Sequence, residues 1–457
     1  MTVQRKVAEV VRSRLGEGDV RAQVLRLALP ATAEQMLAMM VGIVDTFLVG
    51  HLGAVSLASV GLANQWIFLS GTFFGAVGTG STALIARFIG AKEPDKANQV
   101  MRQSVLLGLL IGVVALVMGL SLATPAVTLL GARGEVVGLS STYLRIVSVA
   151  LVVAPLMYLG NASLRGAGDT QTPMRIMMVV NVVNIAVAVT AINGLFGVPK
   201  MGVAGSALGA ATAQVVGGVL VTAVLLRGRG QMRLRLSRMR PDWDVIRRIT
   251  RVGLPTGVEN LLFRIGNMAY VSVLASLGVE AYAANQVAIN AWSLSFMPGF
   301  GFAVAATTLV GQALGAKDPK AAEQHGYTSY WMGTALMAAM GVMFVLFPAQ
   351  IMGFFTNDAE VIALGTMPLR VMGLAQPFLA AAMVFSGGLR GAGDTRFPML
   401  ITAGAIWLIR LPLAYVLGVT LGWGLVGAWT AMSLDMVVRG TFNFVRFRSG
   451  RWKSIAV

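Results

Sequence analysis

The chain has 457 residues, 56% of them apolar, with only 36 basic and 19 acidic side chains. That is 12% charged, about half of the roughly 25% that wets an ordinary soluble domain, so a string of soluble domains is excluded. Cysteine is absent and histidine occurs only at His51 and His325, which removes disulfides, zinc clusters and Cys/His nucleophiles from consideration.

In chain order, hydropathy predicts spans at 25–49, 57–85, 103–124, 142–163, 173–193, 202–226, 252–276, 282–312, 327–349, 366–388, 397–418 and 423–445. Each is about the 20 residues needed to cross a hydrocarbon core of about 30 Å. The 54 glycines suit close helix contacts inside a bilayer. The expected fold is therefore an all-α polytopic membrane protein of twelve transmembrane helices.

The loops sort the net charge of +17. One side would hold Arg5, Lys6, Arg12, Arg14, Arg21 and Arg26, then Arg87, Lys92, Lys96 and Arg102. It would also hold Arg165, Arg175, the arginines from Arg227 to Arg251, Lys317, Lys320, Arg390, Arg396 and the run from Arg439 to Lys453. The opposite loops carry only Arg133 and Lys200. The positive-inside rule then predicts a multi-pass protein of the cell membrane with both termini cytoplasmic. The charged N-terminus before the first long apolar run does not read as a cleavable signal. The Arg-rich stretch reads as a topogenic linker on anionic lipid headgroups, and no nucleic-acid partner is expected.

The chain repeats itself at a spacing of 225. Leu29-Pro30 returns as Leu254-Pro255, Glu34 as Glu259, Gly90-Ala91-Lys92 as Gly315-Ala316-Lys317 and Leu144-Arg145 as Leu369-Arg370. All seven residues of Leu164–Thr170 (LRGAGDT) reappear as Leu389–Thr395. Six spans return the chain to its starting side, so the two six-helix lobes should be related by a pseudo-two-fold along the membrane normal, with a cavity between them. The expected divisions are an N-lobe at 1–226 (an amphipathic N-terminus plus six spans), a linker at 227–250 and a C-lobe at 251–457. The repeated turn fits neither a Walker nor a Rossmann loop. It reads as a structural turn, with Asp/Thr capping the next helix and Pro173 or Pro398 in its first turn.

These motifs resemble the multidrug and toxic compound extrusion (MATE) family. The resemblance is carried by Leu29-Pro30, Val44–Gly53 (VDTFLVGHLG), the repeated turn, Phe296–Gln312 (FMPGFGFAVAATTLVGQ), Trp407–Pro412 (WLIRLP) and Arg451-Trp452-Lys453. It implies a secondary antiporter, not an enzyme and without a cofactor. Such a protein exports organic, often cationic compounds in exchange for protons or sodium ions, with lobes that alternate access around a central site. We read it as a monomer whose partners are small organic cations and membrane lipids.

Ionisable groups inside spans are expensive and must face protein or water. The acids are Glu34, Asp45, Glu259 and Asp435; the bases are Arg145, Arg264, Arg370 and Arg410. Asp45 matches the family's functional aspartate, and the resemblance places Asn181, Asn184 and Gln65 near it. Glu259 matches a C-lobe cation-site glutamate of some members. Glu34, following Pro30 by one turn, is its repeat equivalent; the two are expected near the cytoplasmic ends as carboxylates paired across the lobes, in a supporting or gating role. Arg264 is a candidate partner for Glu259 or Asp45. Arg410 and Asp435, at similar depth in spans eleven and twelve, are expected to form a structural ion pair.

Two departures bear on the coupling ion. Asn184 is followed by Ala188 where the family often has an aspartate, and Phe378-Leu379-Ala380 stands where some members carry another. Sodium wants several hard oxygen ligands, whereas a lone desolvated carboxyl favours its neutral form, as proton exchange requires. Proton coupling through Asp45 is therefore expected, with sodium coupling through a C-lobe site as the alternative. A lipid-linked or polysaccharide flippase is disfavoured by the few intramembrane bases. An intramembrane enzyme ranks last, for want of a His/Cys or Ser-Lys constellation. Pro155, Pro298, Pro377 and Pro412 are the candidate mid-span breaks.

Overall fold

The computed structural model describes residues 19–235 and 240–455. The expected amphipathic N-terminus and linker residues 236–239 lie outside the described residues. The helices are α1 Val20–Gly50, α2 Ala54–Gly90, α3 Pro94–Ser121, α4 Ala123–Leu129, α5 Glu135–Ala150, α6 Ala154–Gly166, α7 Gln171–Asn193 and α8 Val203–Arg227. After the linker come α9 Trp243–Ala275, α10 Val279–Gly315, α11 Pro319–Leu346, α12 Pro348–Gly353, α13 Ala359–Gly391, α14 Arg396–Thr420 and α15 Gly424–Arg448.

Among the described residues, nine helices are long and apolar enough to cross a membrane, and ten when the bent pair α5–α6 counts as one span. The other two expected spans are α9 and α15, of 33 and 25 residues. At 1.5 Å per residue both exceed the roughly 30 Å core. Charge sets them apart: α9 carries Glu259 and Arg264, α15 Asp435 and Arg439. Most helices overrun the apolar stretch that announced them, because regular hydrogen bonding continues into the polar boundary.

The repeat extends to the backbone. Lys92 and Lys317, 225 apart, both have φ 59°, and Gly168 and Gly393 in the repeated turn have φ 89° and 86°. A lysine in the left-handed region is uncommon, so its recurrence at the equivalent place marks one turn used twice.

The compact units do not divide at the linker. One unit holds residues 33–260; the other holds the preceding residues of α1 together with 261 onward. Within the second, Val24 and Ala28 of α1 pack with Ala305 of α10, and a Cβ on Gly301 would lie 2.5 Å from the Ala28 carbonyl oxygen. Within the first, Ile249 of α9 joins the core built by α2, α3 and α8, and a Cβ on Gly253 would lie 2.2 Å from the Ala76 carbonyl oxygen. Ala76–Gly253 and Gly301–Ala28 are the same contact by the 225 offset, with the glycine on opposite partners.

The linker is docked on its unit and does more than join lobes. Arg229 and Met232 close a short antiparallel bridge, with Met232 and Leu234 buried. Asn98 at the start of α3 donates to the Gln231 carbonyl at 3.1 Å and accepts from Arg233 N at 2.7 Å. Gln103 donates to the Arg240 carbonyl at 2.7 Å.

Of the candidate breaks, only the one beside Pro155 interrupts a helix: α5 and α6 meet at 53° across Leu151–Val153. Pro298 and Pro377 sit inside continuous helices. Pro412 follows a π-helical stretch at Ala405–Arg410, so α14 absorbs its proline by widening.

Candidate functional site

Asp45 lies in the last two turns of α1, partly buried, with Oδ1 buried and in no hydrogen bond. Asn184, fully buried on α7, faces this carboxylate, and neither of its amide atoms makes a regular hydrogen bond. Tyr143 of α5 lies within electrostatic reach of Asp45, and Ser206 of α8 stands beside the Tyr143 hydroxyl. Four helices of one unit thus bring an acid, an amide, a phenol and a hydroxyl together. Buried polar atoms left without partners are costly unless water or a ligand satisfies them, and Asp45 Oδ1, both Asn184 amide atoms and Ser206 Oγ are such atoms.

Tyr143 and Ser206 were missed by reading the sequence. Tyr143 directly precedes the repeated Leu144-Arg145, but nothing in its local pattern sets it apart from a packing tyrosine.

The other amides lie differently. Asn181, one turn before Asn184, donates from Nδ2 to the Met177 carbonyl at 2.9 Å, and its Oδ1 is buried without a partner. Gln65 lies on an exposed face of α2. Ala188, at the place of the missing acid, is fully buried, and a Cβ on Gly209 would come within 2.7 Å of its methyl. The α7–α8 approach there leaves no space for a carboxylate.

The expectation that Glu34 pairs across the lobes is corrected. Its buried carboxylate takes Arg165 of its own unit, Nη1 to Oε1 at 2.7 Å. Arg165 belongs to the repeated turn, which supplies a cation that the helix-capping account did not use. Pro30 is inside α1. Glu259 is buried in α9, and Arg264, partly buried on the same helix, falls in the other unit.

The same turn carries Asp169, which accepts from Thr172 N at 3.0 Å and Thr172 Oγ1 at 2.7 Å, capping α7. Its Oδ2 also accepts from Arg229 Nε at 3.0 Å. Partial burial raises the Asp169 carboxyl's proton affinity, but the Thr172 hydrogen bonds and Arg229 outweigh it and hold the group below its ordinary value. In the repeat, Asp394 accepts from Arg446 Nε at 2.8 Å.

Arg410 and Asp435 form an ion pair through Arg410 Nη2 and Nε, the latter at 3.1 Å, with both side chains almost wholly buried. Arg439 makes it a triad, Nη2 to Asp435 Oδ2 at 2.8 Å. The two guanidinium groups stand about 6 Å from the Phe263 ring. Arg439 is four residues from Asp435, so the i,i+4 rule would have found it.

The MatE family model matches residues 30–190 and 255–416, one segment in each half of the repeat. The chain is 35% identical to a protein named probable multidrug resistance protein NorM from Thermotoga maritima, over 96% of this chain and 94% of that one. It is 30% identical to a protein of the same name from Bradyrhizobium diazoefficiens, over 94% and 93%. A solved structure described as the outward-facing conformation of a multidrug resistance MATE family transporter of the MOP superfamily superposes with TM-score 0.89, at 25% identity over 95% of this chain and 97% of that one. With this family match, these relatives and a two-lobe helical fold, the chain belongs to the MatE family of multidrug efflux transporters.

Proposed function

We propose that the protein is a proton-coupled antiporter of the cell membrane, with both termini cytoplasmic, that exports amphipathic organic cations by alternating access. The observation that carries the reading is Asp45: a single carboxylate, partly buried, facing Asn184 and within reach of Tyr143, with Oδ1 unsatisfied. As an anion it attracts a cation; a proton arriving from outside neutralises it and releases the cation. Loss of the proton inside restores the anion for the next cycle. Competition for one group obliges exchange.

A sodium-coupled reading has one observation in its favour. Asn184 Oδ1 and Ser206 Oγ are, like Asp45 Oδ1, buried oxygens outside regular hydrogen bonds, and hard cations take oxygen ligands. It would use the same N-terminal cluster and only one carboxylate.

Proteoliposomes decide between them. Efflux of an amphipathic cation such as ethidium is followed under an imposed pH gradient without sodium, and under a sodium gradient at equal pH. Efflux driven by the pH gradient alone supports proton coupling. Efflux that needs sodium and ignores pH overturns it, and no efflux under either gradient overturns cation export.

A further inference from the structure

A cavity of about 670 Å³ opens in the unit of residues 33–260, with none of Asp45, Asn184, Tyr143 and Ser206 in its lining. Its walls come from α2 (Trp66, Phe73), α3 (Val114, Met118), α4 (Ala126) and the bent span (Leu151). No ionisable side chain lines it. Its two serines are turned back into their own helices: Ser70 Oγ donates to the Trp66 carbonyl at 3.3 Å and Ser148 Oγ to the Leu144 carbonyl at 2.6 Å. The Trp66 indole N–H, which could have oriented a polar guest, is spent on the Ala126 carbonyl at 3.2 Å. The volume suits a guest of drug or lipid-chain size, yet the walls offer no free polar group to fix a headgroup or a cationic centre.

Length and surroundings identify the guest. Along α3 and the Leu122 that caps its C-terminus the lining runs from Leu110 to Leu122, about 18 Å at helical rise, close to the half-thickness of a roughly 30 Å hydrocarbon core. The α3 helix has the highest mean hydropathy of the spans and is among the least buried. Leu110, Val114, Met118 and Leu122 are exposed as well as lining, so the cavity is continuous with a lipid-facing surface. We propose that it is a binding site for one acyl chain of a bilayer phospholipid, in the leaflet remote from the basic loops.

The second half of the chain packs differently at one of the equivalent places. At the places of Leu116 and Ser148 it has Gly341 and Gly373. A Cβ on either would lie 2.5–2.6 Å from the other's carbonyl oxygen, so those helices touch backbone to backbone. The cavity lies in the first lobe, where span four bends at Leu151–Val153.

The test uses the full-length protein in nanodiscs containing phosphatidylethanolamine with a mid-chain diazirine, followed by a chase with unlabelled lipid, photolysis and peptide mapping. Label within 110–129 and 144–151 should outlast, by at least fivefold in time, label at the exposed Leu408 of α14. Ala115→Phe and Val114→Phe, which fill the space, should each remove the slowly exchanging label while leaving label at Leu408. Equal exchange at the two places overturns the site in the unsubstituted protein, whether or not the variants fold. Folded filling variants that keep the slow label overturn it too. Displacement of the slow label by equimolar ethidium would make the pocket a substrate site and would also overturn the proposal.

Discussion

Arg165 Nη1 and Glu34 Oε1 stand 2.7 Å apart, tying the repeated turn between spans four and five to the first helix inside one compact unit. Glu34 is nearly closed to water and Arg165 about one quarter open, so removing the carboxylate charge leaves a cation that is only partly resolvated. Glu34→Gln should lower stability by about 1–3 kcal/mol, read as a lower melting temperature in detergent. An unchanged melting temperature would show that the pair adds nothing to the fold.

The triad of Arg410, Asp435 and Arg439 changes what charge reversal should do. A simple pair would be restored by exchanging Arg410 and Asp435, but here the new arginine at position 435 would meet Arg439 one turn away. Asp435→Asn alone should be the most damaging single change, by about 3–5 kcal/mol, because it strands two guanidinium groups. The Arg410→Asp/Asp435→Arg double variant should recover more folded protein when Arg439→Gln is added. Equal recovery with and without Arg439→Gln, measured by monodisperse yield, would remove Arg439 from the account.

At the transport cluster, Asp45→Asn should fold and bind no driving proton, abolishing gradient-driven efflux in vesicles. Glu259→Gln should be milder. Tyr143→Phe, which keeps the ring and removes one hydrogen-bonding group, should weaken cation binding about tenfold, or ~1.4 kcal/mol. Wild-type efflux by Asp45→Asn would move the site elsewhere.

Ala188 bears on whether a second carboxylate can be restored. Its methyl is pressed against the Gly209 backbone, so Ala188→Asp combines overpacking with a buried charge. The expected result is a loss of about 2–4 kcal/mol of stability and no sodium dependence. A stable Ala188→Asp protein with sodium-dependent efflux would mean that the helices separate there easily.

The Asp169 brace has a definite pH sign. Its carboxyl is held below the ordinary value, so its stabilisation is fully present above the unfolded value of about 3.9. It is lost as pH falls through the lower, folded one. The contribution should therefore be constant across pH 5–8, and Asp169→Asn should flatten only the acid limb of a melting-temperature profile. An Asp169-dependent change between pH 6 and 8 would contradict this.

Twelve spans and a two-lobed repeat could be read from the chain because hydropathy and the 225 spacing are local, additive signals. The same is true of Asp435 and Arg439, a pair set by one turn of helix. The exchange of partners by the first turns of α1 and α9 was not legible, since Val24 and Ile249 look apolar whichever core receives them. Nor was the bend at Leu151–Val153 separable from the other prolines: Pro155, Pro298 and Pro377 read alike, and the packing around each decides which helix breaks. Tyr143 comes within reach of Asp45, and Ser206 of Tyr143, through tertiary placement alone.

That exchange of partners rests on one contact made twice, which makes its glycines the sharpest test of the fold. At Gly301 a Cβ would lie 2.0 Å from Thr32 Oγ1 and 2.5 Å from the Ala28 carbonyl oxygen, and at Gly253 2.2 Å from the Ala76 carbonyl oxygen. The Thr32 hydroxyl can turn aside, but the two carbonyl oxygens are backbone and cannot, so the helices themselves must separate. Gly301→Ala and Gly253→Ala should each lower stability by about 1–3 kcal/mol, although alanine is the better helix former. Gly42 in α1 has nothing within 4 Å of the same added atom; there Gly→Ala should be neutral or stabilise by up to about 1 kcal/mol. Because the obstruction is a carbonyl oxygen, Ala28→Gly should not rescue Gly301→Ala, nor Ala76→Gly rescue Gly253→Ala. Melting temperatures of the six proteins decide it: rescue by either double variant would place the crowding on a methyl group and refute a backbone-to-backbone crossing.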